Sequence, residues 1–118
     1  MKKNIQKYYQ AIFFNFFFFF LVAKEIVAKD LNSSIGEQLF FSNCNVCHRD
    51  GNNIIIPEKN LKLETLKANG MENLESIIYQ VTNGKNGMPA FGGRLKEEEI
   101  EKIAKYVLEK TTINFQNK

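Results

Sequence analysis

An all-α domain of about four helices is the fold class this sequence predicts. Three observations lead there. Apolar residues return at helical spacing in the second half of the chain, most clearly Ile100, Ile103, Ala104, Val107 and Leu108. Glycines stand where such segments should stop, at Gly70 and Gly84. The run most easily mistaken for a strand, Ile54-Ile55-Ile56, has no β-partner nearby.

The first residues read as an address rather than as part of that domain. Lys2, Lys3 and Lys7 form a basic start before residues 11–23, an apolar stretch containing the phenylalanine run 16–20 and interrupted by Asn15. A bilayer span takes ~20 residues, so the stretch suits a signal h-region better; an uncleaved membrane anchor is the alternative. Ala28 closes a plausible cleavage site, Ile26-Val27-Ala28. The expectation is a signal peptide over 1–28 that is removed, leaving one small domain over 29–118 that does not span a membrane. Lys2, Lys3, Lys7 and Lys24 against Glu25 give the leader a net +3, which is the whole formal charge of the chain. The domain itself is therefore neutral, and the basic pI gives no support for a nucleic-acid partner.

The first helix is expected to begin at Ser34, with Ser34-Ile35-Gly36-Glu37 as a capping box. Ile35, Leu39 and Phe40 form its apolar face, and it should run close to Cys44. Gly36 and Phe40 are four apart and share one side. Gly36 costs about 1 kcal/mol of helix propensity relative to Ala, which a close helix crossing at that point would explain.

Cys44-Asn45-Val46-Cys47-His48 follows, a C-x-x-C-H signature for covalent attachment of a c-type haem. Two thiols three positions apart lie about one helical turn from each other and can add to the two vinyl groups of one haem edge. The adjacent imidazole then lies where it can bind the iron as proximal ligand. Zinc would want four donors, yet the motif consumes both cysteines and the single histidine of the chain. A thioredoxin-like dithiol would need a βαβ pattern, and none is visible. A covalently held haem would also staple a thin-cored domain, and with no spare cysteine the chain suits an oxidising compartment.

Asp50-Gly51-Asn52-Asn53 reads as a turn, and the triple isoleucine as an extended loop packed on one haem face. A short helix over about 61–69 should end at Gly70. Another, over about 73–83, presents Leu74, Ile77, Ile78 and Val81 and stops at Gly84. The last runs from Glu97 to about Glu109. Its acidic start, Glu97, Glu98, Glu99 and Glu101, could dock a basic partner. More simply, it places carboxylates at the positive end of the helix dipole.

With no second histidine, the other side of the iron is left to Met, Lys, Tyr or water. Met71 enters an amphipathic helix, where a thioether fills core. Met88 sits instead in Gly84-Lys85-Asn86-Gly87-Met88-Pro89-Ala90-Phe91-Gly92-Gly93, where glycines let a loop curl against a flat ring and Pro89 stiffens it. Met88 is the expected distal ligand. His/Met ligation raises the reduction potential and fills the coordination sphere, which argues for one-electron transfer and against an enzyme.

Taken together, these residues resemble the cytochrome c6 family, soluble photosynthetic c-type cytochromes. The likeness runs from Asp30-Leu31 to the last helix. It includes Gly51-Asn52-Asn53, Pro57-Glu58-Lys59 and, most specifically, the run from Tyr79-Gln80-Val81-Thr82-Asn83 through the Met88 loop to Arg94-Leu95. The resemblance implies a class I cytochrome c fold wrapped around one covalently attached haem c, with Met88 as distal ligand. It implies a monomeric carrier taking electrons from the cytochrome b6f complex to photosystem I in the thylakoid lumen of an algal plastid or a cyanobacterium. It further implies a crossing of the Gly36/Phe40 side with the last helix near Tyr106, redox tuning by Gln80, and a role for Arg94 at photosystem I. Gly87 is a departure, since the family more often has Ala there. The missing extra cysteine pair tells against the related plant variant with an added disulfide. The rival readings are a periplasmic cytochrome serving a respiratory oxidase and a zinc or dithiol module.

Overall fold

The computed structural model describes the backbone of residues 2–115, with side chains described outside 2–4, 20–30 and 32. Among the described residues it is all-α. The helices are α1 (Lys2–Asn43), α2 (Asn45–His48), α3 (Leu63–Ala68), α4 (Leu74–Asn83) and α5 (Glu97–Thr112), with 3₁₀ turns at Arg49–Gly51 and Pro57–Lys59. The chain falls into two compact units, 1–32 and 33–118. In the first, Tyr8, Tyr9, Phe13, Phe14 and Phe19 of α1 are all exposed. Among the described residues no helix is long and apolar enough to cross a membrane.

The expected helix start at Ser34 is corrected: the backbone is already helical from Lys2. No proline or glycine precedes Gly36, so nothing in the sequence interrupts the helix before that point. Glu37, expected to reach back and cap, instead accepts the Tyr106 hydroxyl at 3.4 Å.

In the second unit the end of α1 crosses α5 as expected. A Cβ on Gly36 would stand 2.5 Å from the Lys102 carbonyl oxygen and 3.1 Å from Tyr106 Cβ, so only glycine lets the backbones approach this closely. Phe40 packs on Tyr106 with ring centroids 5.2 Å apart and on Phe115 at 6.0 Å. Phe115, at a φ of 55°, turns its ring back over Gly51 beside the C-x-x-C-H segment. Burial of the apolar stripe drives this packing, each large side chain contributing about 1.5–3 kcal/mol.

α4 begins at Asn73, whose side chain accepts the Ser76 N–H at 2.9 Å, and stops at Gly84 with a φ of 66°. Ile77 and Val81 are buried, and α4 packs on α5, whose Ile100, Ile103, Ala104 and Val107 are buried in the same core. α5 outruns its expected end at Glu109 because Thr111 is held non-locally: its hydroxyl donates to the Leu61 carbonyl at 2.6 Å. The acidic start of α5 is partly engaged. Glu99 accepts the Lys96 N–H at 2.8 Å, and Glu101 pairs with Lys105 at 2.6 Å, which holds its carboxyl below the ordinary range.

Candidate functional site

The C-x-x-C-H residues continue where α1 ends. The Cys44 N–H donates to Phe40 O at 2.8 Å, and the Cys44 carbonyl accepts from Cys47 and His48 at 3.1 and 2.9 Å. One helical turn therefore presents both thiols and the imidazole together. The cysteines form no disulfide. Burial, reinforced by the neighbouring Cys47, pushes the Cys44 thiol up to about 11, so it rests protonated and apolar. That is the reverse of a redox dithiol, which needs a depressed thiol pKa. Among the described residues no three His, Cys, Asp or Glu side chains are grouped closely enough to hold a metal ion by themselves.

His48 is 9% exposed, and its Nδ1 lies 3.0 Å from the Asn52 carbonyl oxygen. That oxygen can only accept, so Nδ1 carries the proton and Nε2 keeps its lone pair. Burial lowers the His48 pKa below 6.5, against the opposing pull of the Asn52 bond. The neutral imidazole, with Nε2 unprotonated, is thus the resting form. Asn52 is set by the tight turn before it, where Asp50 and Gly51 have φ of 54° and 73°.

Met88 arrives on a loop tied at both ends. Gly84 folds the chain back so closely that a Cβ would lie 2.6 Å from both Ala90 N and Met88 O. Lys85 and Met88 exchange N–H···O bonds of 3.0 Å in both directions. Phe91 and Gly92 donate to Val81 and Thr82 at 2.9 and 3.0 Å, returning the loop to the end of α4. Gln80 Nε2 donates to the Met88 sulfur at 3.7 Å.

These residues share one cavity of about 380 Å³. Cys44, Cys47, His48, Gln80 and Met88 line it together with Ile55, Leu66, Met71 and Phe91. Its size lies within the usual range for cofactor pockets. Its donors are a thiol pair, an imidazole with Nε2 free and a thioether, set among apolar walls, and that set fits a haem c. Met71, expected as core filler, is partly buried against the core and also lines this cavity. Of the isoleucines, Ile55 and Ile56 line it while Ile54 points away and is 66% exposed.

Arg94 does not line the cavity. Its guanidinium lies 5.0 Å from the centroid of the Phe91 ring, whose side chain does. Sequence reasoning missed the Asn52 carbonyl and the work of Asn53, whose side chain accepts from Ile55 and Ile56 N–H at 3.0 and 2.9 Å and donates to Lys59 O at 3.0 Å. The signal available was the Asx-turn habit of asparagine.

A family model described as "Cytochrome C oxidase, cbb3-type, subunit III" matches residues 32–107. Cytochrome c6 of Bumilleriopsis filiformis is 60% identical over 73 residues, 62% of this chain and 85% of that one. Cytochrome c6 of Porphyra purpurea is 50% identical over 108 residues, 92% of this chain and 94% of that one. Among solved structures, cytochrome c6 from the diatom Phaeodactylum tricornutum matches with a TM-score of 0.68 and 50% identity, covering 70% of this chain and 97% of that one.

Proposed function

This chain belongs to the cytochrome c6 family, and from that premise we propose that it carries single electrons from the cytochrome b6f complex to photosystem I in the thylakoid lumen. It is a c-type cytochrome, an electron carrier whose cofactor is a covalently attached haem. In our reading Cys44 and Cys47 would hold the haem by thioether bonds, and His48 and Met88 would ligate its iron. The haem supplies one-electron exchange at its iron, and the protein tunes and protects that exchange.

His48 presents a neutral Nε2, and the Asn52 carbonyl on Nδ1 fixes the tautomer and raises the basicity of the ring. Met88 offers a soft sulfur that favours ferrous iron. Gln80, donating to that sulfur, withdraws density from it and tunes the potential. Leu66, Phe91 and Ile56 keep water from the buried side. Arg94, held on the Phe91 ring and exposed, is positioned to meet an acidic partner surface, which supports its role at photosystem I. The observation that carries the reading is the convergence of the C-x-x-C-H turn and the Gln80-bound Met88 on one cavity.

The lumenal address rests on a leader over 1–28 removed after Ala28, leaving 29–118 as a monomer. The basic, phenylalanine-rich composition supports this, as does the division of the chain at Asn32. A second reading, donation to a respiratory oxidase, draws on the oxidase-subunit description of the matching family model. Flash-induced oxidation by isolated photosystem I decides between them. Rapid, salt-dependent oxidation is expected; rapid oxidation by an isolated terminal oxidase with none by photosystem I would overturn the proposal.

A further inference from the structure

Three Asn-Gly pairs lie in the domain: Asn69-Gly70, Asn83-Gly84 and Asn86-Gly87. In such a pair the following main-chain nitrogen can reach the amide carbon of the asparagine side chain, because glycine has no Cβ to crowd the approach. The three are chemically alike in an open chain, and the fold separates them.

Asn69 donates from Nδ2 to the Thr65 carbonyl at 2.7 Å and accepts from Lys59 Nζ, while Gly70 N–H donates to Lys67 O at 3.1 Å. Asn83 closes α4 with Nδ2 on the Tyr79 carbonyl at 2.9 Å, and Gly84 N–H donates to Gln80 O at 2.8 Å. In both pairs the leaving amide and the attacking nitrogen are tied down. Asn86 differs at both ends. It is exposed, and among the described residues neither its side-chain amide nor the Gly87 N–H has a hydrogen-bond partner.

The backbone places this pair at an exposed turn. Asn86 and Gly87 form the tip between Lys85 and Met88, which bridge each other. Asn86 has a φ of 53°, while Gly87 is not in the positive-φ region. A positive φ is uncommon outside glycine, and asparagine is among the few residues that adopt it in a turn.

We propose that Asn86 is a self-modifying site in the folded protein. Gly87 N bonds to Asn86 Cγ, the Cγ–Nδ2 bond breaks, and ammonia leaves with the proton from Gly87 N. Water opens the resulting cyclic imide at either carbonyl, leaving aspartate or isoaspartate at position 86. One water is consumed and one ammonia released, with no change of oxidation state. The product adds a negative charge at the cavity rim beside Lys85, and its isoaspartate form lengthens the backbone two residues before Met88. The covalent step does not depend on the proposed role of Met88; only its effect on ligation does.

The test is ageing of the haem-loaded protein in mildly alkaline buffer, then tryptic digestion. Residues 86–94 and 68–85 emerge as separate peptides, the second carrying both other pairs. Exchange of NH₂ for OH is read by mass. Peptide 86–94 is expected to convert several-fold faster than 68–85 in the folded protein, and the bias should vanish in urea. Isoaspartate, read as methyl acceptance from an isoaspartyl methyltransferase, should accompany it. Equal or faster conversion of 68–85 in the fold overturns the proposal, as does product that is aspartate alone. Because the readout is mass, a failure of Met88 as ligand would leave this result standing and show only in the absorption spectrum.

Discussion

The turn that presents His48 and the loop that presents Met88 serve one cavity but are built in different ways. The first is local. Its thiols, imidazole and the carbonyl that orients the imidazole all lie between Cys44 and Asn52, joined by short-range backbone bonds and by the contact of His48 with Asn52. The second is borrowed. Met88 depends on the backbone reversal at Gly84, on bonds from Phe91 and Gly92 back to α4, and on a side chain from α4 itself. A local site tolerates distant damage, whereas a borrowed one loses its geometry whenever either lender moves. Local opening should therefore free Met88 well before it frees His48.

Removing the local site should have the largest effect. Cys44→Ser with Cys47→Ser should abolish haem that survives acid-acetone extraction; covalent pigment in that variant would remove the cysteines from the account. Next in size is Met88→Ala, which should keep the covalent haem, lose the weak far-red sulfur–iron band and lower the reduction potential. An unchanged band would hand the ligand role to Met71, the other thioether lining the cavity.

Gly84→Ala should loosen the Met88 loop and leave the C-x-x-C-H turn intact. It places a Cβ 2.6 Å from two backbone atoms at positive φ, a cost of about 2–4 kcal/mol concentrated in the loop. On heating, the far-red band should disappear well below the helical transition, and simultaneous loss would mean the loop is no weaker than the rest. Gly36→Ala, clashing with the Lys102 carbonyl at 2.5 Å, should cost about 1–3 kcal/mol but lower both transitions together.

The smallest effect concerns Tyr106. Burial first, then Glu37, raises its phenol from 10.0 to about 12. A folded-state pKa above the unfolded value means the neutral phenol contributes fully below about pH 10 and that contribution is lost as pH rises through about 12. Tyr106→Phe should remove this alkaline limb from a stability–pH profile while costing under about 1 kcal/mol at neutral pH.

The same distinction explains what could be read from the sequence. The C-x-x-C-H turn was legible because its chemistry is contiguous, and the ends of α3 and α4 were legible because Gly70 and Gly84 mark them. Close packing at Gly36 could be inferred from the misfit of a glycine in a helix. The start of α1 was not legible, since a strong local cap at Ser34 says nothing about whether the preceding residues are helical too. The extension of α5 to Thr112 was hidden as well. β-branched Thr111 and Thr112 look like a poor helix end until the Leu61 carbonyl, far away in sequence, is brought to the Thr111 hydroxyl. A tuning role for Gln80 came from family resemblance alone, and its contact with Met88 was not foreseen, for nothing in their spacing foretells what the reversal at Gly84 creates.

The buried Cys44 thiol has a consequence for the order of events in the life of the chain. At 7% exposure and with its proton held to about pH 11, it is a poor nucleophile once the turn has closed around it. A thioether bond to this sulfur, the role proposed for it, should therefore form more readily while the segment is still open, and a chain folded before it meets haem is expected to attach it poorly.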